Sequence, residues 1–416
     1  MQHRRVWAEI DLDAITSNLQ TIRNAIGPGK GIMAIVKANA YGHESIPIGW
    51  HLASLGVDML GVGDSQEAIE LRCAGVSIPI LVLGAIVSGE LSDVVSNNIA
   101  ITVHSNERVR VLEREARRAR QPVSVHLKVD TGMARLGCKP SSALELARLI
   151  HSCDHLRFDG ICTHFSSVGS ASAAGTGDDN FTDRQVRTFN RVVGEIERAG
   201  IPVPRRHAAA SAAILRGVAT HLDMVRPGLS LYGIGPSPEL QAGLTPALSL
   251  KTQVIFLKDC PAQTPVGYNR THVTPQRTRV ATLPVGYNDG YPFRLGGRGQ
   301  VIIRGRKCSV IGRVSMDYLT VDVGHVPGVS VGDEVVLIGA SGRESITATD
   351  LAEQCGTIPY EILTRIGRRV ERVYLGGRTP RSAAEEGARE ADMRGFGILH
   401  RPGVPTGPSE IEPGRR

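Results

Sequence analysis

The strongest constraint on this chain is an alternation. Between residues 14 and 240, eight short β-rich apolar runs (32–36, 59–62, 80–83, 100–103, 123–129, 160–163, 205–208 and 222–226) are separated by stretches of helical periodicity. Strands separated by helices build parallel sheets through βαβ units. Two architectures satisfy the pattern, a closed (β/α)8 TIM barrel and an open doubly wound sheet. Eight repeats in about 230 residues match the size of the barrel and favour it. The helices carry legible ends. Asp64 is placed to cap one helix, with Glu67 at its third position and Gly75 just past its end. Thr182 is placed to cap another, with Gln185 at the third position and Gly200 as the stop.

After Leu244 the period changes. LSLKTQVIFLK, TRVATLPVGY, GQVIIRGRKCSVIG, YLTVDV and DEVVLIG alternate apolar with polar residues between Gly and Pro turns. That is the pattern of a mostly antiparallel β domain. The expected organisation is a barrel over 8–240, then a β domain over 241–375 joined by the N-terminal strand at 1–7. The stretch 376–416 is rich in Gly, Pro and charge and poor in aliphatics, so it is expected to be a disordered tail. The small-residue run 169–180 reads as a flexible loop.

Composition removes several classes of function. Apolar residues at 41% support a sizeable core, and aromatics at 4% leave Leu, Ile, Val and Ala to fill it. No apolar stretch approaches the roughly 20 residues of a membrane span, so no membrane partner is expected. Glu9, Asp11 and Asp13 stand where a signal peptide would need its apolar region. The seven Cys are odd in number and scattered, with no C-x-x-C pair. This excludes a disulfide framework and the usual zinc knuckles, implies no metal centre, and suits a reducing cytoplasm. The net charge is +7, but only seven of the 48 basic residues are Lys, and the Arg residues are mixed with acids, as in 108–121. Such mixing marks a solvated helix face. Without a basic stripe interleaved with aromatics, nucleic acid is not an expected partner. Small anionic substrates and cofactors remain.

Chemistry in a barrel sits at the C-terminal ends of its strands. The first run there leads into Lys37, the fifth into Lys128, Asp130 and Arg135, the sixth into His164, the seventh into Ser211 and the eighth into Arg226. A lone strand-end Lys such as Lys37 has two readings, a side chain snorkelling to solvent or an amine of lowered pKa suited to covalent or general-base work. Each of the others also has an ordinary structural reading. Two Lys, two Arg and a His converging on one rim favour a site.

These residues lie within longer motifs. AIVKANAYGHE, LKVDTGMARLG, THFSS, MVRPGLSLYGI, the segment around Tyr268, VGYNDGY, GRVSMD and PYEILTRIGRRV follow one another along the chain. Over about residues 6–375 the chain resembles the alanine racemase family, fold-type III enzymes that use pyridoxal 5′-phosphate (PLP). The resemblance implies a barrel followed by a β domain and a homodimer whose active sites are shared between subunits. It implies interconversion of L- and D-alanine, supplying D-alanine for peptidoglycan. By the same resemblance, Lys37 holds the cofactor covalently and serves as the base toward D-alanine. Tyr268 is the opposing base toward L-alanine, contributed by the partner subunit. Tyr41, His164, Ser211, Arg226, Gly228, Leu229 and Tyr360 match the cofactor pocket, with Arg226 facing the pyridine nitrogen. Arg135, Met316, Asp317 and Tyr287 match the substrate side, and Lys128 matches a lysine that is carbamylated in many members. A tyrosine base needs a neighbour to share its proton, and His164 is the candidate.

The chemistry accounts for these residue types. Racemisation removes a proton from one face of Cα and delivers one to the other, so two bases must flank it. PLP supplies the electron sink. An arginine stays protonated, so it leaves the pyridine nitrogen unprotonated and tempers that sink. The phosphate is expected on backbone N–H groups after the eighth strand.

The chain departs from the family pattern at Ala210, where Asn is frequent, at Ser315, where Cys is frequent, and at Asn269-Arg270 after Tyr268. Three other motifs have plain readings. The G-x-S-x-G at 328–332 precedes a strand rather than a helix, so it is a turn. Gly61 and Gly63 lack the third Gly of a dinucleotide fingerprint. His151 and His155 lie on the far side of the barrel from the rim. The alternatives are a racemase of another small amino acid such as serine, a fold-type III amino-acid decarboxylase, and a bare PLP-binding barrel. The last would lack both the β domain and Tyr268.

Overall fold

The computed structural model describes residues 4–168, 181–217 and 220–377. The expected loop at 169–180 and all but the first two residues of the expected tail lie outside these. The chain opens with strand β1 (Val6–Asp11), and helix α1 (Leu12–Ile26) follows directly, capped by the Asp11 side chain on the Ala14 amide at 2.9 Å. Eight parallel strands then close a barrel: β2 (Gly31–Ile35), β3 (Met59–Val62), β4 (Ile80–Val82), β5 (Ala100–Val103), β6 (Val123–Lys128), β7 (Leu156–Cys162), β8 (Arg206–Ala210) and β9 (Met224–Arg226). β9 pairs back onto β2, which settles the choice between barrel and open sheet. Every residue of β3, β4, β5 and β6 is buried. A parallel strand covered on both faces reads as a near-continuous apolar run, as β3 and β4 do, while β5 and β6 also bury Thr102, Ser124, His126 and Lys128.

The second part of the chain builds β10 (Leu248–Gln253), β11 (Phe256–Cys260), β12 (Pro265–Val266), β13 (His272–Val273), β14 (Thr278–Leu283), β15 (Gln300–Ile303), β16 (Arg306–Ile311), β17 (Leu319–Asp322), β18 (Glu334–Ser341), β19 (Glu344–Ile346) and β20 (Glu371–Leu375). One large sheet runs β11-β14-β17-β16-β15-β18-β10-β1-β20. β1 pairs antiparallel with β10 and parallel with β20, so the N-terminal strand belongs to this sheet. Its residues alternate inward (Val6, Ala8, Ile10) and outward (Trp7, Glu9, Asp11), the period of a strand with one covered face. The turn at 328–332 leads into β18, as its sequence context required.

Two local expectations change. β7 begins at Leu156, four residues earlier than its apolar run, because Arg157, Phe158 and Asp159 interrupt the pattern with partly exposed side chains. The helix expected to start after Thr182 begins at Phe181. The Thr182 hydroxyl donates to the Ser167 carbonyl at 2.6 Å, and Gln185 reaches Ser166 and Thr131 instead of closing a capping box.

The connection after β2 positions the site. Ala38, Asn39, Ala40 and Tyr41 all have φ between 52° and 54°, a full left-handed helical turn without a glycine. Such a conformation costs roughly 1–2 kcal/mol per residue. It is held from several sides. Glu67 accepts from the Ala38 amide, Asn39 accepts from the Ser45 amide at 2.9 Å, and buried His43 lies 3.0 Å and 3.1 Å from the carbonyls of Ala40 and Tyr41. Arg372 on β20 donates twice to the Gly42 carbonyl, at 3.1 and 3.2 Å. Gly42 itself has φ +85°, and a Cβ there would stand 2.2 Å from the Leu363 oxygen. The β domain thus clamps the turn that follows Lys37.

Candidate active site

A cavity of about 410 Å³ opens at the C-terminal ends of the barrel strands. Lys37, Tyr41, Lys128, Arg135, His164, Ser211, Arg226, Gly228, Leu229 and Tyr360 all line it. Ten residues expected from the sequence therefore converge, nine from the barrel and Tyr360 from the β domain. Ala210 lines the same cavity.

Lys37 follows the end of β2. Its ammonium pKa is lowered, first by the protein packed around it and then by Arg135 and Arg226, with Glu67 opposing. Lys128 ends β6 and donates to the Leu83 carbonyl at 2.8 Å. Burial is the main cause that lowers its pKa. His164 is held down to about 3 by burial and by Arg226, Arg135 and the two lysines, so its ring is neutral at physiological pH. Arg135 sits on a loop organised by Asp130, whose Oδ1 accepts from the amides of Gly132, Met133 and Ala134 at 2.8–3.1 Å. Burial opposes ionisation of Asp130, but these three bonds prevail and hold its carboxyl below the usual range.

On the opposite wall the Ser211 hydroxyl accepts from the amides of Gly228 and Ser230, at 3.1 and 3.2 Å. A Cβ at Gly228 would lie 2.5 Å from the Tyr41 hydroxyl. The Tyr41 ring packs against Tyr232 and Tyr360, with centroids 5.0 and 5.7 Å apart. Arg226 is 5% exposed and donates to His207 Nδ1 (2.9 Å) and to the carbonyls of Thr163 (2.8 Å) and Ala208 (2.9 Å), and lies 3.3 Å from His164 Nδ1.

The other β-domain residues lie elsewhere. Tyr268 is 71% exposed, Met316 52% and Tyr287 44%, and none of them lines the cavity. Tyr287 leans edge-on against Phe293 at 6.3 Å. Asp317 is tied to Arg369 at 2.7 Å. The Ser315 hydroxyl bridges the backbone of Tyr318, donating at 2.7 Å and accepting at 3.0 Å.

Two residues escaped the sequence reading. Glu67, read only as a helix-start residue, bonds the amides of Ala38 and Gly63 across the mouth of β2 and β3. His207 supports Arg226 from behind. Its signal was a polar residue inside the small apolar run of β8. Away from the rim, His155 is engaged by Glu113 at 3.1 Å. Among the described residues no group of three or more His, Cys, Asp or Glu is arranged to hold a metal ion, and no helix is long and apolar enough to cross a membrane.

A closed parallel barrel with a cationic rim, followed by a mostly antiparallel β domain that clamps the first rim loop, defines a two-domain barrel enzyme. Comparison with known proteins narrows this. Residues 10–236 match the model of the alanine racemase N-terminal domain, and residues 247–374 that of the alanine racemase C-terminal domain. The chain is 41% identical over 379 residues to an alanine racemase of Halothermothrix orenii, covering 90% of this chain and 98% of that protein. It is 40% identical over 374 residues to one from Methanococcus maripaludis, covering 89% and 98%. Among solved structures it resembles the alanine racemase of D-cycloserine-producing Streptomyces lavendulae (TM-score 0.84, 35% identity, 91% and 98% covered). It also resembles that of Bacillus anthracis with bound L-Ala-P (TM-score 0.82, 33% identity, 91% and 96% covered). The chain belongs to the alanine racemase family.

Proposed function

We propose that the protein interconverts L- and D-alanine with PLP at the barrel rim, in a cytoplasmic homodimer whose sites are each completed by the partner subunit, and that it supplies D-alanine for peptidoglycan. The observation that carries this reading is the pairing of a lysine of lowered pKa, Lys37, with a buried guanidinium, Arg226, in one cavity. The residues present fit PLP. A neutral amine is what reacts with an aldehyde, and burial first, then Arg135 and Arg226, shifts Lys37 toward that form. The Ser211 hydroxyl with the amides around Gly228 and Leu229 offers a polar wall for the phosphate, with Tyr41 and Tyr360 beside it. The cavity volume lies in the range of small-molecule sites.

When bound, the cofactor delocalises the electron pair left at Cα after proton removal. The chain's own groups do the rest. Lys37 takes the α-proton on one face as the amine and returns it as the ammonium. Tyr268 of the second copy does the same on the other. Arg226, which can only donate, leaves the ring nitrogen as an acceptor. Arg135 orients the substrate-side groups. Lys128, whose pKa burial lowers, is the amine disposed to carbamylation, and its carbamate would hold Arg135. His164 Nδ1 faces the Arg226 donor, which leaves its Nε2–H free to donate to the phenolic oxygen of Tyr268. Met316, Asp317 and Tyr287 form the substrate-side approach on the second copy.

Racemisation assays with L-alanine, L-serine and L-lysine test the reading. Alanine is expected to be turned over fastest, with formation of the D-enantiomer. A preference for serine, or release of carbon dioxide, would overturn it.

A further inference from the structure

Arg226 is a buried cation, and among the described residues none of its hydrogen-bond partners is a carboxylate. A charge removed from water in this way needs compensation from somewhere in the fold. Behind it a line of polar groups runs back through the barrel interior. Arg226 Nη1 lies 2.9 Å from His207 Nδ1 and His207 Nε2 lies 2.8 Å from His126 Nδ1, while His126 Nε2, which has no hydrogen-bond partner, faces Asp159 Oδ2 at the ion-pair distance of 3.7 Å. Both histidines are fully buried. Asp159 sits at the far end, where Arg205 Nη1 meets its other oxygen at 2.5 Å.

We propose that His207, His126 and Asp159 are positioning residues for Arg226: two histidines in a one-way hydrogen-bonded relay that aims its guanidinium, with Asp159, at ion-pair distance behind them, as its remote counter-ion. The direction follows from the guanidinium end. A guanidinium has no acceptor, so His207 Nδ1 must accept, and the proton of the neutral ring lies on Nε2. That N–H donates to His126 Nδ1, which puts the second proton on His126 Nε2, facing a carboxylate that can only accept. Reversing either ring would set donor against donor or lone pair against lone pair. Burial keeps both rings neutral, against the pull of Asp159 on His126. The charged groups around the pair are Arg226 and Lys128 toward the rim and Arg205 and Asp159 toward the opposite end.

The backbone is bent to build this line. The parallel ladder between β6 and β7 pairs Val125 with Phe158 and then His126 with Gly160, so Asp159 is an extra residue bulged out of register. A bulge re-aims the side chain it carries. A Cβ at Gly160 would stand 2.6 Å from His126 Nδ1, so only glycine leaves room for that ring. A second register shift falls between His207 and Ala210 on β8.

The inference rests on the proposed role of Arg226, but its first readout does not. Ring-nitrogen NMR of ¹⁵N-histidine-labelled holoenzyme should show His126 and His207 neutral with the proton on Nε2 in both. A charged ring, or a proton on either Nδ1, overturns the line whatever the substrate proves to be. Carboxylates that orient a functional side chain through another group commonly matter by roughly 10–100-fold. Asp159→Asn should therefore lower kcat about tenfold with KM unchanged and displace the Nε2 proton signal of His126, and Asp159→Glu should restore part of both. Arg205→Ala, which removes only the outer partner of Asp159, should keep the wild-type ring pattern and kcat. Wild-type kcat in Asp159→Asn, or loss of the ring pattern in Arg205→Ala, would show that the carboxylate serves the outer salt bridge alone.

Discussion

The barrel rim and the β-domain face hold their candidate site residues in opposite states. On the rim, Lys128 and Arg226 are buried, His164 is stripped of its charge, and ten expected residues share one cavity. On the β domain, Tyr268, Met316 and Tyr287 stand exposed at a distance from that cavity. The cavity is assembled within a single chain: nine of the ten residues come from the barrel strand ends and the turns after them, and Tyr360 comes from the β-domain helix Pro359–Thr364. The β-domain residues have aromatic and thioether surface with nothing to cover it. Large exposed apolar groups rimmed by charge mark an interaction surface, and a second copy of the chain is the occupant that the proposed mechanism requires. In the proposed mechanism one half of the site is a product of folding and the other a product of assembly.

The largest expected effect breaks the rim half. Lys37→Ala should lose racemisation by roughly 10²–10⁴-fold or more, the span a positioned base contributes. Borohydride treatment followed by peptide mapping should place the cofactor on Lys37 rather than on any of the other six lysines. Label on another lysine would dismantle the rim assignment. Next is the β-domain half. Tyr268→Phe should slow α-proton exchange of L-alanine by roughly 10²–10⁴-fold while sparing that of D-alanine far more. His164→Ala should weaken the L-side step selectively. Solvent-deuterium exchange followed by NMR from each enantiomer separates the two directions, and equal losses would point to a single mobile base.

A smaller effect concerns the clamp between the halves. Gly42→Ala combines a left-handed φ with a Cβ against the Leu363 oxygen, so it should cost about 2–4 kcal/mol in chemical denaturation and weaken cofactor retention. The smallest is an acid limb of stability. Burial holds His43 at about 4, below its ordinary value of 6.5. Between those values the unfolded chain binds the extra proton, so stability rises with pH through that window, is complete above it and is lost as pH falls. At pH 5 the difference is about 2 kcal/mol for one such ring. Replacing His43 with Gln should flatten the slope of unfolding free energy between pH 6.5 and 4, and an unchanged slope would remove His43 as its source.

Much of the rim was readable because a barrel has a simple rule, that strand ends carry chemistry. Lys37, Lys128, Ser211 and Arg226 follow from knowing where each apolar run stops. The left-handed turn at Ala38–Tyr41 was not readable, since nothing in Ala-Asn-Ala-Tyr favours positive φ and the conformation is imposed by Glu67, His43 and Arg372 from distant parts of the chain. The line behind Arg226 was hidden because Asp159 belongs to a strand that its own polar residues disguised. The isolated Gly160 was the one available signal of a bulge there. Tyr268, and its expected place in the partner's site, came through resemblance alone, since an exposed β-domain tyrosine carries no strand-end signal.

The shared site is tested most directly by subunit mixing. Lys37→Ala and Tyr268→Phe chains, each inactive toward L-alanine alone, are combined and allowed to exchange. Random pairing in a two-fold dimer should restore one working site per mixed dimer, about a quarter of wild-type activity overall. Persistent inactivity after verified exchange would contradict the account and place both bases within one chain.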